Sequence, residues 1–545
     1  MKHLSLWGLG LVLSFLGSAA MACVTPQELY LASDQRDAEH ENFNKAFSCQ
    51  ALTNDTLEVA LIALGRVGGE KAANRVLPYL SHDSAKVREA AVFALGIAGV
   101  PSMGEHLTSA LKQEKAPTVK YQMALAIGNM GYSQAQQILT EIINQSEDSQ
   151  EIRGALQGLI NLSSFHSSRL GSFENLSSSQ LYKALWQQET QLEASYLMAR
   201  RNLMEMTQVN SALKELDKLP PMVQAKMVRA LGNTQLNKVL PMLLTHIQKE
   251  HIGIRVNAIR GLADFPDNPA AMAGVLIALK QNDTVSQVTA LQTLHNDWLD
   301  NDDVYQAVTK KLSSNNSWVQ SEALMVLIRA NKADGDTTQK WVNSTDPNLQ
   351  RAAIAYFSKL QDEDQLQQLV KSDKAIIARG AQQALQPERE TSGEPSNTPE
   401  ELPDVDSIVL LNTTQGPITI QLYADTPYTS ANFIRLVNDG YYDNSYFHRV
   451  IPDFVAQGGS NIGDGSGSVD YSIREELSYR SHLPGTVGMA TLGKDTGGGQ
   501  FFINTAPNLH LDSNYTIFGK VVEGMDNAMQ LEQNDKVISA KIVAD

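Results

Sequence analysis

Apolar positions along the first 390 residues follow two nested periods. ALIALGRVG (60–68), AVFALGIAG (91–99), MALAIGNM (123–130) and ALQGLINL (155–162) return every 31 or 32 residues. The series resumes with MVRALGN (227–233), AIRGLAD (258–264), ALQTLHN (290–296), ALMVLIR (323–329) and AIAYFSK (353–359). Second apolar runs lie between them, such as AANRVLPYL (72–80), VLPMLLTHI (239–247) and GVLIALK (274–280). Each period therefore predicts two short amphipathic helices separated by polar turns. A pair of this kind cannot bury its apolar stripe alone, so neighbours stack into a curved array. Binding, if any, is expected on its concave face.

Small residues inside the first-named helices suit close helix approach. Asp83, Asp346 and Asp373 are expected as helix caps or turn acceptors, with Arg88, Arg351 and Arg379 within reach. The stretch 163–225 reads as one irregular repeat with a Ser-rich insertion. His166 and His251 are expected to be surface or packing residues. This spacing resembles HEAT-like repeats over about 50–390, a likeness that speaks for architecture and is silent on chemistry.

Between 387 and 405, PERETSGEPSNTPEELPDV loses all helical period and most large apolar residues. It reads as a flexible linker of about 20 residues that raises local concentration without fixing orientation. From 406 to 545 the period changes. SIVLLNTTQGPITIQLY (407–423) predicts two strands joined by Gln-Gly-Pro, and TPYTSANFIRLVNDGYY (426–442) a helix capped near Thr429 and stopped by Gly440. Further β-like runs follow, which points to a closed barrel. The expected organisation is a signal peptide at 1–22, an all-α solenoid at 23–386, the linker at 387–405 and a mainly-β barrel at 406–545.

Charge changes the picture by exclusion. The chain has 545 residues and a formal net charge of −16, and its last domain carries 8 basic against 16 acidic residues. Nothing supplies the basic stripe that a nucleic acid partner needs. At the start, Lys2 and His3 precede an apolar run and Ala20-Met21-Ala22 forms a small-x-small site, the pattern of an export signal. The expected location is the bacterial periplasm. The two cysteines, Cys23 and Cys49, leave two readings open: a disulfide in an oxidising compartment, or lipidation of Cys23, as in bacterial lipoproteins, as the sole membrane attachment. The lipoprotein signal usually has Leu three residues before the Cys, and Ala20 stands there.

One segment, YFHRVIPDFVAQGGS (446–460), gathers aromatics, a permanent cation and an amide in alternation. Together with GMATLGKDTGGGQFFINTAPNLHLD and YTIFGKVVEGMD, it makes the C-terminal domain similar to the cyclophilins, which are peptidyl-prolyl cis-trans isomerases. The resemblance implies an eight-stranded antiparallel barrel closed by a helix at each end. It also implies a site without metal or other cofactor. Arg449 matches the family's catalytic Arg. Phe454 and Phe502 match the proline-pocket walls, which Val455 and Leu511 complete, and Gln457 matches the grip on the substrate backbone. Ala490 and Gln500 match the adjoining groove, and His448, Thr491, His510 and Tyr515 fall at further groove or rim positions. His510 stands where the family often has the Trp that contacts cyclosporin, Thr491 where it has Asn, and Tyr515 where it has His.

Such chemistry suits those residue types. Rotating an X–Pro amide crosses a barrier of ~18–20 kcal/mol because the C–N double-bond character is lost at the top. No covalent bond is made or broken, so no nucleophile or redox group is required. An apolar slot for the ring, a hold on the backbone and a donor near the prolyl nitrogen suffice, because that donor binds the twisted state better than the planar one. The expected partners are proline-containing client proteins at the barrel and a protein on the solenoid. The competing expectation is a non-catalytic scaffold that only recognises proline segments.

Overall fold

The computed structural model describes residues 23–386, 407–466 and 468–543. The export signal and the linker expected at 387–405 lie outside the described residues. The N-terminal part is helical throughout. Helices Asn54–Val67, Ala85–Ala98, Pro117–Asn129, Ser149–Phe165, Gln191–Arg201 and Pro221–Asn233 stack in sequence, and Ile252–Leu262, Thr284–Thr293, Ser317–Arg329, Pro347–Leu360 and Ala375–Leu385 continue the row. Shorter helices between them form a second row. The first-named row packs closely where glycine permits: a Cβ on Gly128 would collide with the backbone of Gly158 one repeat later. Within 163–225 the helix pair Ser178–Leu185 and Gln191–Arg201 continues the stack after an insertion at 166–177, as expected.

The capping expectations hold in part. Asp346 accepts the N–H groups of Asn348 and Leu349 at 2.8 and 3.4 Å. Asp83 and Asp373 cap nothing: Ser84 and Lys374 take the cap positions without side-chain bonds. Arg88 forks onto Glu114, at 2.7 and 2.9 Å, and meets Asp83 only at its main-chain oxygen. His166 bonds to the Asn129 carbonyl at 2.8 Å, and His251 caps the helix that follows it. At the N-terminus Cys23 and Cys49 are joined in a disulfide, with Cα atoms 6.1 Å apart.

The C-terminal part is one antiparallel sheet curled into a barrel. Its strands are β1 (Ile408–Thr413), β2 (Gly416–Leu422), β3 (Ser445–Tyr446), β4 (Arg449–Ile451), β5 (Val455–Gly458), β6 (Thr486–Met489), β7 (Phe501–Asn504), β8 (Ile517–Glu523) and β9 (Lys536–Val543). They run in the order β3-β9-β1-β2-β8-β6-β7-β5-β4. Tyr446 N–H donates to Ser460 O at 2.9 Å just past β5, which draws the two sheet ends together. Nine strands stand where eight were expected because the chain leaves the ladder at Phe447-His448, dividing one edge into β3 and β4. Phe433, Tyr442, Phe447, Phe501 and Phe518 fill the interior.

Helices Pro427–Asn438 and Met525–Met529 accompany the sheet. The first is capped at Thr426 rather than near Thr429. Pro427 begins it, and the buried Glu476 carboxylate accepts the Tyr428 and Thr429 N–H groups at 3.2 and 2.7 Å. An acidic side chain from a distant loop thus does the work that the local sequence assigned to a hydroxyl.

The barrel does not hang free. Polar side chains of the first-named helical row reach its main chain from one end of the array to the other. Arg66 donates to Leu477 O and Asp425 O at 3.1 and 3.0 Å. Gln157 donates to Leu509 O at 2.7 Å, and Asn161 to Asp512 O at 3.1 Å. Arg260 donates to Pro452 O at 3.0 Å, and Arg351 to His448 O at 2.9 Å. These contacts set the orientation that the linker alone leaves open. Gln157 and Asn161 are 1 and 0% exposed, and buried amides of this kind require the partners that the barrel carbonyls supply. Arg351, expected to serve its own repeat's turn, is likewise spent across the interface.

Candidate active site

The β4–β5 hairpin makes the site. Register pairs Arg449 with Gln457 and Ile451 with Val455, so the chain must reverse over Pro452-Asp453-Phe454. Asp453 does this at φ +56°, a left-handed conformation that Asp tolerates better than most residues. The reversal carries Phe454 back beside Arg449, whose guanidinium carbon lies 5.7 Å from the ring centre. Alternation along a single strand would have kept them apart. Asn508 Nδ2 donates to Phe454 O at 2.8 Å and fixes the turn from the other side.

A polar line runs away from Arg449. Its Nη1 donates to Gln457 Oε1 at 3.3 Å, Gln457 Nε2 donates to Gln500 Oε1 at 3.1 Å, and Gln500 Nε2 donates to Gly465 O at 2.7 Å. The amides are thereby oriented, while Arg449 keeps donors unspent and lies exposed. Partial burial lowers its pKa from the usual arginine value.

Beside this line is an apolar slot. Val455, Phe502 and Leu511 are buried together, with Phe454, Ala490 and Tyr515 packed around them. Tyr515 meets Phe502 edge-on, with ring centres 6.1 Å apart. Gly488 lies under the Phe502 ring so closely that any Cβ there would enter it. His482, absent from the residues expected at the site, stacks behind Phe502 at 5.7 Å, and its Nδ1 accepts from Asn504 Nδ2 at 3.1 Å. Burial pushes its pKa down to about 3. Its signal in the sequence was absent, because a histidine in a loop between strands has no periodicity to betray it.

Two of the expected site residues behave differently from the rest. His448 is buried against Gly465, outside the apolar slot, with its pKa pushed down to about 4, first by burial and then by the Arg351 charge. His510 forms the rim, stacked on Phe454 at 5.6 Å, and its outer face is taken by the solenoid. Tyr196 stacks on it, and the Tyr196 hydroxyl meets its Nδ1. Burial pushes the ring down to about 3, so it is neutral and Nδ1 accepts.

The solenoid also encloses space at both sides of the slot. One cavity, of about 530 Å³, has Thr491, Leu492 and Tyr515 on the barrel side and Ile97, Phe165 and His166 on the helical side. The other, of about 410 Å³, opens beside Phe454 and His510 and is closed by Tyr196, Lys226, Asn257 and Arg260. None of these helical residues was visible as part of a site in the sequence, since the contacts that bring them there are more than 190 residues apart.

An antiparallel barrel presenting an exposed arginine, two oriented amides and an aromatic-walled apolar slot belongs to the class of peptide-binding isomerases. Comparison with known proteins makes that class specific. Residues 408–544 match the family of cyclophilin type peptidyl-prolyl cis-trans isomerases, and residues 53–125 and 77–160 match HEAT repeats. A peptidyl-prolyl cis-trans isomerase of Synechococcus elongatus is 44% identical over 139 residues, covering 25% of this chain and 96% of that one. Peptidyl-prolyl cis-trans isomerase B of Bacillus subtilis is 43% identical over 128 residues, 23% of this chain and 90% of its own. A crystal structure of a Cryptosporidium parvum cyclophilin type isomerase aligns over 26% of this chain and 98% of its own, at 26% identity and a TM-score of 0.24. The chain belongs to the cyclophilin-type peptidyl-prolyl cis-trans isomerases, and its N-terminal part is built of HEAT repeats. The two isomerase relatives cover only about a quarter of the chain and say nothing of the solenoid.

Proposed function

We propose that this protein is an exported folding factor in which the HEAT array presents client chains to the isomerase groove. The carrying observation is that Arg449, Gln457, Gln500 and the Phe454–Phe502 slot share one surface that the solenoid borders without covering Arg449. In this reading the slot takes the prolyl ring. Gln457 and Gln500, pre-oriented by their mutual bond, hold the client backbone. Arg449 places an N–H near the prolyl nitrogen, which is a better acceptor when the amide is twisted than when it is planar. The gain is therefore differential, as catalysis requires. His510 is neutral and engaged by Tyr196, so it takes no part in proton transfer and acts as an apolar rim.

Export rests on two supports: the N-terminal pattern, and the Cys23–Cys49 bridge, which is at home in an oxidising compartment. The bridge uses the Cys23 thiol, so it and a lipid on that sulfur are mutually exclusive, and we favour the unlipidated periplasmic form. Reduction followed by mass analysis of the exported protein separates the two.

The test of the activity uses the full chain and a short Ala-Pro peptide, with cis–trans exchange followed by NMR. Wild type should accelerate exchange, and Arg449→Ala should lower kcat/KM at least ~100-fold, the scale of losing one preorganised donor. A folded wild-type chain that leaves the exchange rate unchanged would sink the isomerase role and leave the scaffold reading.

A further inference from the structure

The cavity of about 410 Å³ beside Phe454 and His510 has an unusual charge for this chain. Four cations, Arg200, Lys226, Arg229 and Arg260, line it, against one carboxylate, Asp453. The protein as a whole carries −16, so such a concentration of positive charge is local and built. Two of the four are neutralised: Lys226 pairs with Asp453 at 3.1 Å, and Arg229 forks onto Asp264. The other two are not. Arg260 spends one donor on Pro452 O at 3.0 Å, and Arg200 reaches only the Ser164 hydroxyl at 3.3 Å. Neither forms an ion pair among the described residues.

We infer that this cavity is a subsite for an acidic side chain flanking the proline of the client. Continuity argues for it: Phe454 and His510 wall both the proline slot and the cavity, so a chain seated in the slot passes the cavity mouth within a residue or two. Chemistry argues for the class of ligand. A guanidinium offers planar paired donors that match a carboxylate, and two of them lacking a counter-ion raise the local potential. Lys226 and Asp453 complete a wall that belongs half to each domain, so the preference exists only while the barrel is docked. The inference rests on the isomerase reading above for the position of the proline.

The test uses the full chain and Ala-Ala-Pro-Ala-Ala peptides carrying Glu or Gln at each of the four positions around the proline. At one or two neighbouring positions Glu should be favoured roughly tenfold over Gln in kcat/KM, the scale of a charge-assisted pair replacing a neutral one. Arg200→Gln, at an exposed site, should halve or better that ratio, and Arg200→Gln with Arg260→Met should bring it near one. Raising the salt to molar levels should compress it in wild type. Chemical-shift titration gives Kd for the same peptides, so the preference is measured even if no exchange is catalysed, in which case the isomerase reading fails separately. Equal treatment of Glu and Gln at every position, or a preference that survives the double substitution with the barrel still docked, overturns the inference.

Discussion

Asp453 offers the sharpest test of whether the two domains form one body. Its carboxylate accepts from Lys226 Nζ at 3.1 Å and from Asn257 Nδ2 at 2.8 Å, across the interface. The two charged side chains are only 8 and 11% exposed. Removing one partner of so buried a pair strands the other, which costs about 3–5 kcal/mol. Asp453→Ala should therefore reduce the docked-to-undocked ratio by roughly 10² to several times 10³, at ~1.4 kcal/mol per tenfold. Ala at a left-handed φ adds ~1–2 kcal/mol within the turn itself, so the pairwise part must be isolated. Lys226→Met removes the ammonium without touching the turn. The coupling between the two substitutions, read from urea titrations of a fluorescence energy-transfer pair placed on exposed residues of each domain, should be ~2 kcal/mol or more. Asp453→Asn, which suits the turn, should fall between wild type and Ala. A coupling below ~0.5 kcal/mol, or a docked fraction indifferent to Asp453→Ala, would refute the single-body description.

Other consequences are as direct. His448, His482 and His510 have folded pKa values near 4, 3 and 3 against 6.5 when free. As pH falls below 6.5 the unfolded chain takes up protons that the folded one refuses, so their contribution to stability is complete above 6.5 and drains away from there towards 3. Thermal melts of His510→Phe, which keeps the stack between Phe454 and Tyr196, should show a shallower acid slope than wild type. Glu475 acts oppositely: burial raises it to about 7, so stability is lost as pH rises from 4.5 towards 7, and Glu475→Gln should flatten that limb. Gly488→Ala should raise KM for proline peptides and cost far more activity than melting temperature, because the added methyl drives Phe502 into the slot. Reducing Cys23–Cys49 opens a loop of sequence separation 26, worth about 3.5 kcal/mol in chain entropy. Hydrogen exchange should then accelerate through 26–48 while the rest of the array stays protected.

What the sequence made legible follows from the range of the forces involved. Helix pairs and strands announce themselves by local period, and both domains were readable for that reason. The slot was readable because a hairpin binds Arg449, Phe454 and Gln457 within nine residues, so family likeness and local geometry carry the same information. The interface was not readable. Gln157, Asn161 and Arg66 look like the solvated face of ordinary helices, and only the barrel carbonyls show why polar groups 0 to 5% exposed are tolerated there. Their partners are the main-chain oxygens of Leu477, Leu509 and Asp512, which leave no side-chain signature at all. That asymmetry also explains the misplaced roles of Arg351 and Thr429. Each had a plausible neighbour a few residues away, and in each case a distant group, a barrel carbonyl or the Glu476 carboxylate, supplied the stronger bond. A side chain that local rules assign to its own turn, yet which the fold buries, therefore marks where a second domain must arrive. In this chain those side chains trace a path along the solenoid that passes the rim of the isomerase slot.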